Sequence, residues 1–190
     1  VRENFPQAHI TVLARPWVAP LYETHPAAND VILYNRGFGV LKDSSEFLRV
    51  VRRTRSLHFD MAVLFQNAFE AALIARLAGI KIRVGYNTDG RGFLLSHSVV
   101  RGTEVLKRHQ VEYYLTFLRA LGWDAPTRDP VLRAGPECVT RVRFLLSSKG
   151  IEDHDLLVGL SPGAAYGPAK RWPVERFAAI GDQAIREWGA

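Results

Sequence analysis

A lysine closing a glycine-punctuated loop is the strongest chemical signal in this chain. Residues 161–173 read Ser-Pro-Gly-Ala-Ala-Tyr-Gly-Pro-Ala-Lys-Arg-Trp-Pro. Gly163 and Gly167 let the backbone come close to a bound group, and Lys170 brings a positive charge to the same place. Pro173, with its fixed φ and no N–H, suits the first turn of a helix that follows. The unpaired N–H groups and dipole of such a helix start favour an anion. Just upstream, the apolar run Leu156–Ser161 predicts a short buried parallel strand. Strand, loop, cation and helix start together predict a phosphate site. The string is not a Walker A loop, because three residues separate the glycines and Arg171 follows the lysine. Nor is it the GxGxxG fingerprint. On spacing alone, an ordinary βα turn with a surface lysine also fits.

Three further constellations lie earlier in the chain. Arg83-Val-Gly-Tyr86, followed by Asp89-Gly-Arg91, delivers two arginines from a strand end into a loop, and parallel sheets bind ligands at their carboxyl ends. A surface turn with incidental arginines has the same composition. Gln66-Asn67 closes another predicted strand, where Asn67 can meet a ligand or cap the next helix. His109, Glu112 and Tyr113 share one helical stripe, opposite Val111, Tyr114, Leu115 and Leu118. A His–Glu pair there can orient a ligand or move a proton, or serve as a polar face.

The elements that must position these groups alternate. Strands are predicted over His9–Ala14, Asp30–Tyr34, Asp60–Phe65 and Ile80–Val84. Helices are predicted over Trp17–His25, from Asp43 to about Leu57, and over Asn67–Ala78, Arg108–Leu121, Glu137–Lys149 and Val174–Trp188. Gly37, Gly39 and Asp43 mark a loop, and Asp43-Ser-Ser-Glu46 has capping-box spacing. Tyr86–Gly92 reads as a glycine-rich turn, and Phe93–Val100 as extended or irregular. Such alternation implies an α/β fold with a mainly parallel sheet and crossover helices. Three prolines in 122–136 predict the connection between a first domain, 1–135, and the beginning of a second, 136–190.

Composition narrows the class. The 190 residues are 47% hydrophobic and 23% charged, with a formal net charge of +6, as expected of a globular chain and not of a disordered one. Arginine supplies most of the basic residues, the lysines being Lys42, Lys81, Lys107, Lys149 and Lys170. Arginine suits bidentate capture of phosphate or carboxylate, although base composition also favours its codons. In the helix after Asp43, Phe47, Val50, Val51, Thr54 and Leu57 share one face, while Arg49, Arg52, Arg53 and Arg55 lie largely away from it. That basic face is either solvated or meets an anionic lipid or acidic acceptor. The single cysteine, Cys138, has no partner for a disulfide or a CxxC metal site and reads as a semi-buried helix residue. The aromatics are spaced as core residues and not interleaved with basic ones, which argues against nucleic acid. No signal peptide and no long apolar span is visible.

The string at 161–173 closely resembles the signature opening the donor-binding domain of the lipopolysaccharide heptosyltransferases of the heptosyltransferase II type. These are glycosyltransferases of family 9 with the two-domain GT-B architecture. Arg-x-Gly-Tyr with Asp-Gly-Arg-Gly (83–92), then Arg-His-Gln-Val-Glu-Tyr-Tyr (108–114), looks like the second half of the acceptor domain in that family. The resemblance covers essentially the whole chain. It implies an incomplete GT-B N-terminal lobe followed by the start of a second Rossmann-like domain. The implied reaction is heptose transfer from ADP-heptose to the lipopolysaccharide inner core. The enzyme would be cytoplasmic, peripheral at the inner face of the inner membrane, and would need no metal or other cofactor. Implied donor contacts are Gly163, Ala164, Ala165, Tyr166, Gly167 and Lys170. Implied acceptor contacts are Asn67, Arg83, Arg91 and His109. The family's catalytic base, on a glycine–aspartate loop, is expected upstream of Val1, and its Asp-Ser-Gly segment beyond Ala190. No catalytic residue is therefore expected within this chain. A nucleotide- or phosphate-binding α/β module without transferase activity is the alternative.

Overall fold

The structure, a computed structural model, describes residues 1–35, 44–129, 131–164 and 167–189. The chain divides into two compact units, Val1–Arg133 and Ala134–Ala190.

The first unit alternates strands and helices, and every strand pairing described is parallel. Strand β1 (Thr11–Ala14) pairs with β2 (Asp30–Leu33), Thr11 lying opposite Asp30. A second sheet has the order β3 (Met61–Leu64), β4 (Ile82–Tyr86), β5 (His97–Val99). Helix α1 (Ala19–Glu23) links β1 to β2, α2 (Ser44–Ser56) precedes β3, and α3 (Phe69–Leu77) crosses from β3 to β4. A short α4 (Thr103–Leu106), which the sequence pattern did not reveal, leads into α5 (Gln110–Ala120). The parallel α/β reading holds, with strand and helix ends within a few residues of those predicted. The crossover from β4 to β5 is the exception. Parallel strands are ordinarily joined through a helix; here residues 87–96 contain only a 3-10 turn, Gly92–Leu94. This tight loop occupies part of the stretch predicted as extended.

Burial follows the helix faces. On α2, Val50, Val51 and Thr54 are buried with Phe47 packed against them, and Ile74 of α3 joins the cluster. Leu57, expected on the same face, lies just past the helix end and is exposed. The largest cluster joins Val84 and Tyr86 of β4 to Tyr113, Phe117 and Leu118 of α5. Here the sequence reading needs correcting. Val111 is exposed and Tyr113 is buried. Tyr113 can enter the core because its ring stacks on Tyr86, centroids 4.8 Å apart, while its polar atoms find partners.

An ion pair fastens α2 to the end of β2. Arg49 Nε donates to Glu46 Oε2 at 2.6 Å, and Arg49 Nη2 donates to the Leu33 carbonyl at 2.8 Å. Glu46 Oε1 also accepts from the Asn35 N–H at 3.0 Å. The remaining member of the expected capping box, Asp43, and the loop glycines Gly37 and Gly39 lie outside the described residues.

The second unit contains α6 (Pro136–Ser147), a 3-10 turn over Pro168–Lys170, and α7 (Val174–Trp188). The strand expected over Leu156–Ser161 does not form. Leu156, Leu157, Val158 and Leu160 are all exposed. A strand needs a neighbour to complete its hydrogen-bond ladder, and the described residues of this unit hold no other strand. Ala184 is the buried hydrophobic residue described here. Cys138 sits exposed on α6, not half-buried as expected. Among the described residues, no helix is long and apolar enough to cross a membrane.

The Glu46 clamp has a pH signature. Its hydrogen bond to Arg49 is the main influence lowering the Glu46 pKa from 4.5 to about 2. A carboxylate depressed by folding stabilises above its unfolded pKa and loses that contribution as pH falls through the folded one. Between about pH 4.5 and 2, the wild type should therefore lose stability that Glu46→Gln has already lost. Urea midpoints measured at pH 7 and pH 3 check this: the difference between the two proteins should shrink at the lower pH.

Candidate functional site

The carboxyl ends of β3, β4 and β5 face the loops that carry the residues singled out from sequence. Arg91 lies in the short β4–β5 crossover, after Asp89 and Gly90, both with positive φ (51° and 69°). Its side chain is fully buried, at 0% exposure. Nε donates to the Tyr86 carbonyl at 3.0 Å, and Nη1 donates to the carbonyls of Gln66 and, at 3.4 Å, Ala68. Nη2 reaches the Leu64 carbonyl and Asn67 Oδ1, each at 3.5 Å. Burial pushes the guanidinium below its ordinary pKa, and the charge of Asp89 pulls it back. A cation without exposed surface cannot receive an acceptor's phosphate. Arg91, expected as an acceptor contact, here holds two loops together.

Arg83 is similarly engaged. Its Nε donates to the Leu94 carbonyl at 2.6 Å, and its Nη1 to the carbonyls of Ile80 and, at 2.9 Å, Lys81. Burial, and then the charge of Arg76, lowers its pKa. Ser96 Oγ accepts from the Arg83 N–H at 2.7 Å, tying the same residue to the loop through its backbone. The side chain serves the β4–β5 crossover from the other side.

Asn67 closes the network at this edge. Its Nδ2 donates to the Tyr113 hydroxyl at 2.7 Å, and the buried Tyr86 hydroxyl donates to the Tyr113 carbonyl at 2.7 Å. Burial raises the Tyr86 pKa, with a further contribution from Tyr113. Neither Gly85 nor Tyr86, the pair that ends β4, is among the contacts expected from sequence. A Cβ on Gly85 would lie 3.2 Å from Arg91 Nη2 and 3.3 Å from Leu64 Cβ. Glycine here makes room for the guanidinium, a requirement that a strand-end glycine can signal.

His109, Glu112 and Tyr113 do not act together. His109 is exposed and caps α5, its Nδ1 accepting from the Val111 N–H at 3.3 Å. Glu112 accepts from Thr127 Oγ1 at 2.6 Å and from Arg119 Nη1 at 2.9 Å. Those two contacts, the Thr127 hydrogen bond first, hold its carboxyl below the ordinary range. Of this group His109 is exposed, Glu112 half-buried and Tyr113 buried.

In the second unit, Gly163 is exposed with open space where a Cβ would stand, and Ala164 is half-buried. Gly167 has φ +75°, a conformation that suits glycine. Ala165 and Tyr166 lie outside the described residues. Lys170 is exposed, ends the 3-10 turn, and donates its N–H to the Gly167 carbonyl at 3.4 Å. Pro173 is the N-cap of α7. Trp172 packs edge-on against Phe177 (5.2 Å), and the Arg176 guanidinium lies 5.9 Å from the Trp172 ring centre. Arg176 thus adds a cation close to the loop, on the first turn of the helix, that sequence spacing had not singled out.

Parallel strands, crossover helices and loops gathered at the strands' carboxyl ends define a Rossmann-like α/β protein. The profile described as glycosyltransferase family 9 (heptosyltransferase) matches residues 47–188, and this chain belongs to that family. It is 31% identical to lipopolysaccharide heptosyltransferase 2 of Escherichia coli (strain K12) over 98% of its own length and 54% of the relative's. It is 26% identical to lipooligosaccharide heptosyltransferase 2 of Haemophilus ducreyi (strain 35000HP / ATCC 700724), over the same shares. Among solved structures, a glycosyltransferase family 9 protein from Veillonella parvula DSM 2008 superposes with a TM-score of 0.85. That match has 24% identity and covers 97% of this chain and 53% of the other. E. coli ADP-heptose lps heptosyltransferase II superposes at 0.74, with 26% identity, over 98% of this chain and 55% of that one. The chain spans about half the length of the curated relatives it matches.

Replacing Arg91 by Met should leave the Gln66 carbonyl without its guanidinium partner, take one of two donors from the Tyr86 carbonyl, and destabilise the first unit by about 3 kcal/mol or more. Arg91→Lys should recover part of that loss. Gly85→Ala should cost about 1–2 kcal/mol through crowding of the guanidinium. Urea denaturation of the three variants checks all of these values.

Proposed function

We propose that this chain is part of a heptosyltransferase that moves heptose from ADP-heptose to the inner core of lipopolysaccharide. The observation that carries the reading is the alignment with lipopolysaccharide heptosyltransferase 2 over 98% of this chain. The family match through the Lys170 loop supports it. In this reading the first unit belongs to the acceptor side. His109 and Asn67 stand at its ligand-facing edge, while Arg83 and Arg91 shape that edge from beneath.

The donor's diphosphate lies along Gly163, Ala164, Ala165, Tyr166, Gly167 and Lys170. Transfer proceeds by direct displacement at the anomeric carbon: the acceptor hydroxyl attacks, its proton passes to a base, and ADP departs. Negative charge grows on the departing diphosphate, so a fixed cation there favours the transition state over the ground state. Lys170 and the start of α7 supply that charge without a metal ion. The protein works in the cytoplasm, peripheral at the inner membrane where a lipid-linked acceptor resides, and takes no nucleic acid.

Calorimetric titration of the intact gene product with ADP-heptose, and separately with ADP, tests the assignment. A heptosyltransferase should distinguish the two, whereas equal affinity would favour a plain nucleotide-binding module. Lys170→Ala should weaken the binding of both by about 10-fold or more, the worth of one charged hydrogen bond. An unchanged affinity would remove Lys170 from the site.

A further inference from the structure

We propose that the outward face of α2 is the surface on which the protein lies against an anionic lipid bilayer. The inference rests on the peripheral-membrane reading above and gives it a definite surface. Helix α2 turns Val50, Val51 and Thr54 into the first unit. Its opposite side carries two adjoining stripes at i, i+4, i+7 spacing: Leu48, Arg52 and Arg55, then Arg49, Arg53 and Ser56. All six residues are exposed.

The charge on this face is one-signed. The single acidic residue of the helix, Glu46, is occupied by Arg49 and the Asn35 N–H. Arg52, Arg53 and Arg55 show no side-chain hydrogen bond or ion pair among the described residues. Arg53 and Arg55 stand in the last turn, where a cation also complements the helix dipole. That accounts for neither Arg52 nor the exposed leucine at the start of the stripe.

Three guanidinium groups without a partner among the described residues, following an exposed leucine, suit a headgroup layer more than a nucleic acid. Arginine stems lie along the acyl boundary while their heads meet lipid phosphates. Leu48, 44% exposed, is placed to enter that boundary. Binding of single-stranded nucleic acid draws on stacked aromatic side chains, and this face carries none.

The test is co-sedimentation of the intact gene product with vesicles of phosphatidylcholine and phosphatidylglycerol at about 7:3, against pure phosphatidylcholine. The wild type should bind the anionic vesicles and lose that binding in about 0.5 M salt. An arginine at an anionic surface is worth roughly fivefold, so R52E/R53E/R55E should cut partitioning by about 100-fold. R52K/R53K/R55K should stay within a few-fold of wild type, and thermal midpoints should show both variants folded. Undiminished binding by the folded glutamate variant would overturn the assignment of this face alone. So would preferential binding of single-stranded DNA at the same salt. Failure of the wild type to bind anionic vesicles would overturn the surface and the peripheral reading together, leaving the ADP-heptose titration to judge the donor site separately.

Discussion

A buried guanidinium with almost nothing but backbone carbonyls around it governs the ligand-facing edge of the first unit. The β4–β5 crossover holds no α-helix and closes through short turns, the Arg91 N–H donating to the Thr88 carbonyl at 3.0 Å and the Leu94 N–H to that of Arg91 at 2.9 Å. The Arg91 side chain adds donors to the carbonyls of Tyr86, Gln66 and Ala68, joining the end of one strand to the loop after another. Gly85 leaves the space, and the positive φ at Asp89 and Gly90 turns the chain so that the arginine points inward. Arg83 braces the same crossover from the opposite side. Removing a charge from water is costly, and these bonds offset that cost only while they are all made. A loop held so tightly is a rigid base for whatever binds above it.

From this base the order spreads by hydrogen bonds between neighbours. Asn67, one of the Arg91 contacts, meets the Tyr113 hydroxyl, and Tyr113 accepts from Tyr86 through its carbonyl. The first turn of α5, with His109 as its cap, is thereby tied to the ends of β3 and β4. The charge distribution follows a different logic. Arg91 is buried and Arg83 half-buried where they hold the fold, whereas Arg52, Arg53, Arg55 and Lys170 are exposed.

Much of this architecture was legible in the chain. Strand–helix alternation placed the parallel sheets, Pro173 marked the start of α7, and the Ser161–Pro173 string pointed to the family. What could not be read was the use to which each side chain is put. An arginine beside a strand end is chemically suited to a phosphate and to a carbonyl alike, and only depth separates the cases. Arg91 proved to be beneath the surface. Helical periodicity placed Tyr113 with the polar stripe because the pattern could not show that Asn67 and Tyr86 would satisfy it. Leu156–Ser161 has the composition of a buried strand, but composition says nothing of whether a neighbouring strand is there to pair with it.

The two units differ most in where their apolar side chains rest. The first encloses its own clusters around Phe117, Val50 and the alanines of α3. In the second, α6 has no buried residue and the run before the Lys170 loop lies open. During synthesis the amino-terminal unit can thus complete its interior while the ribosome is still delivering the rest.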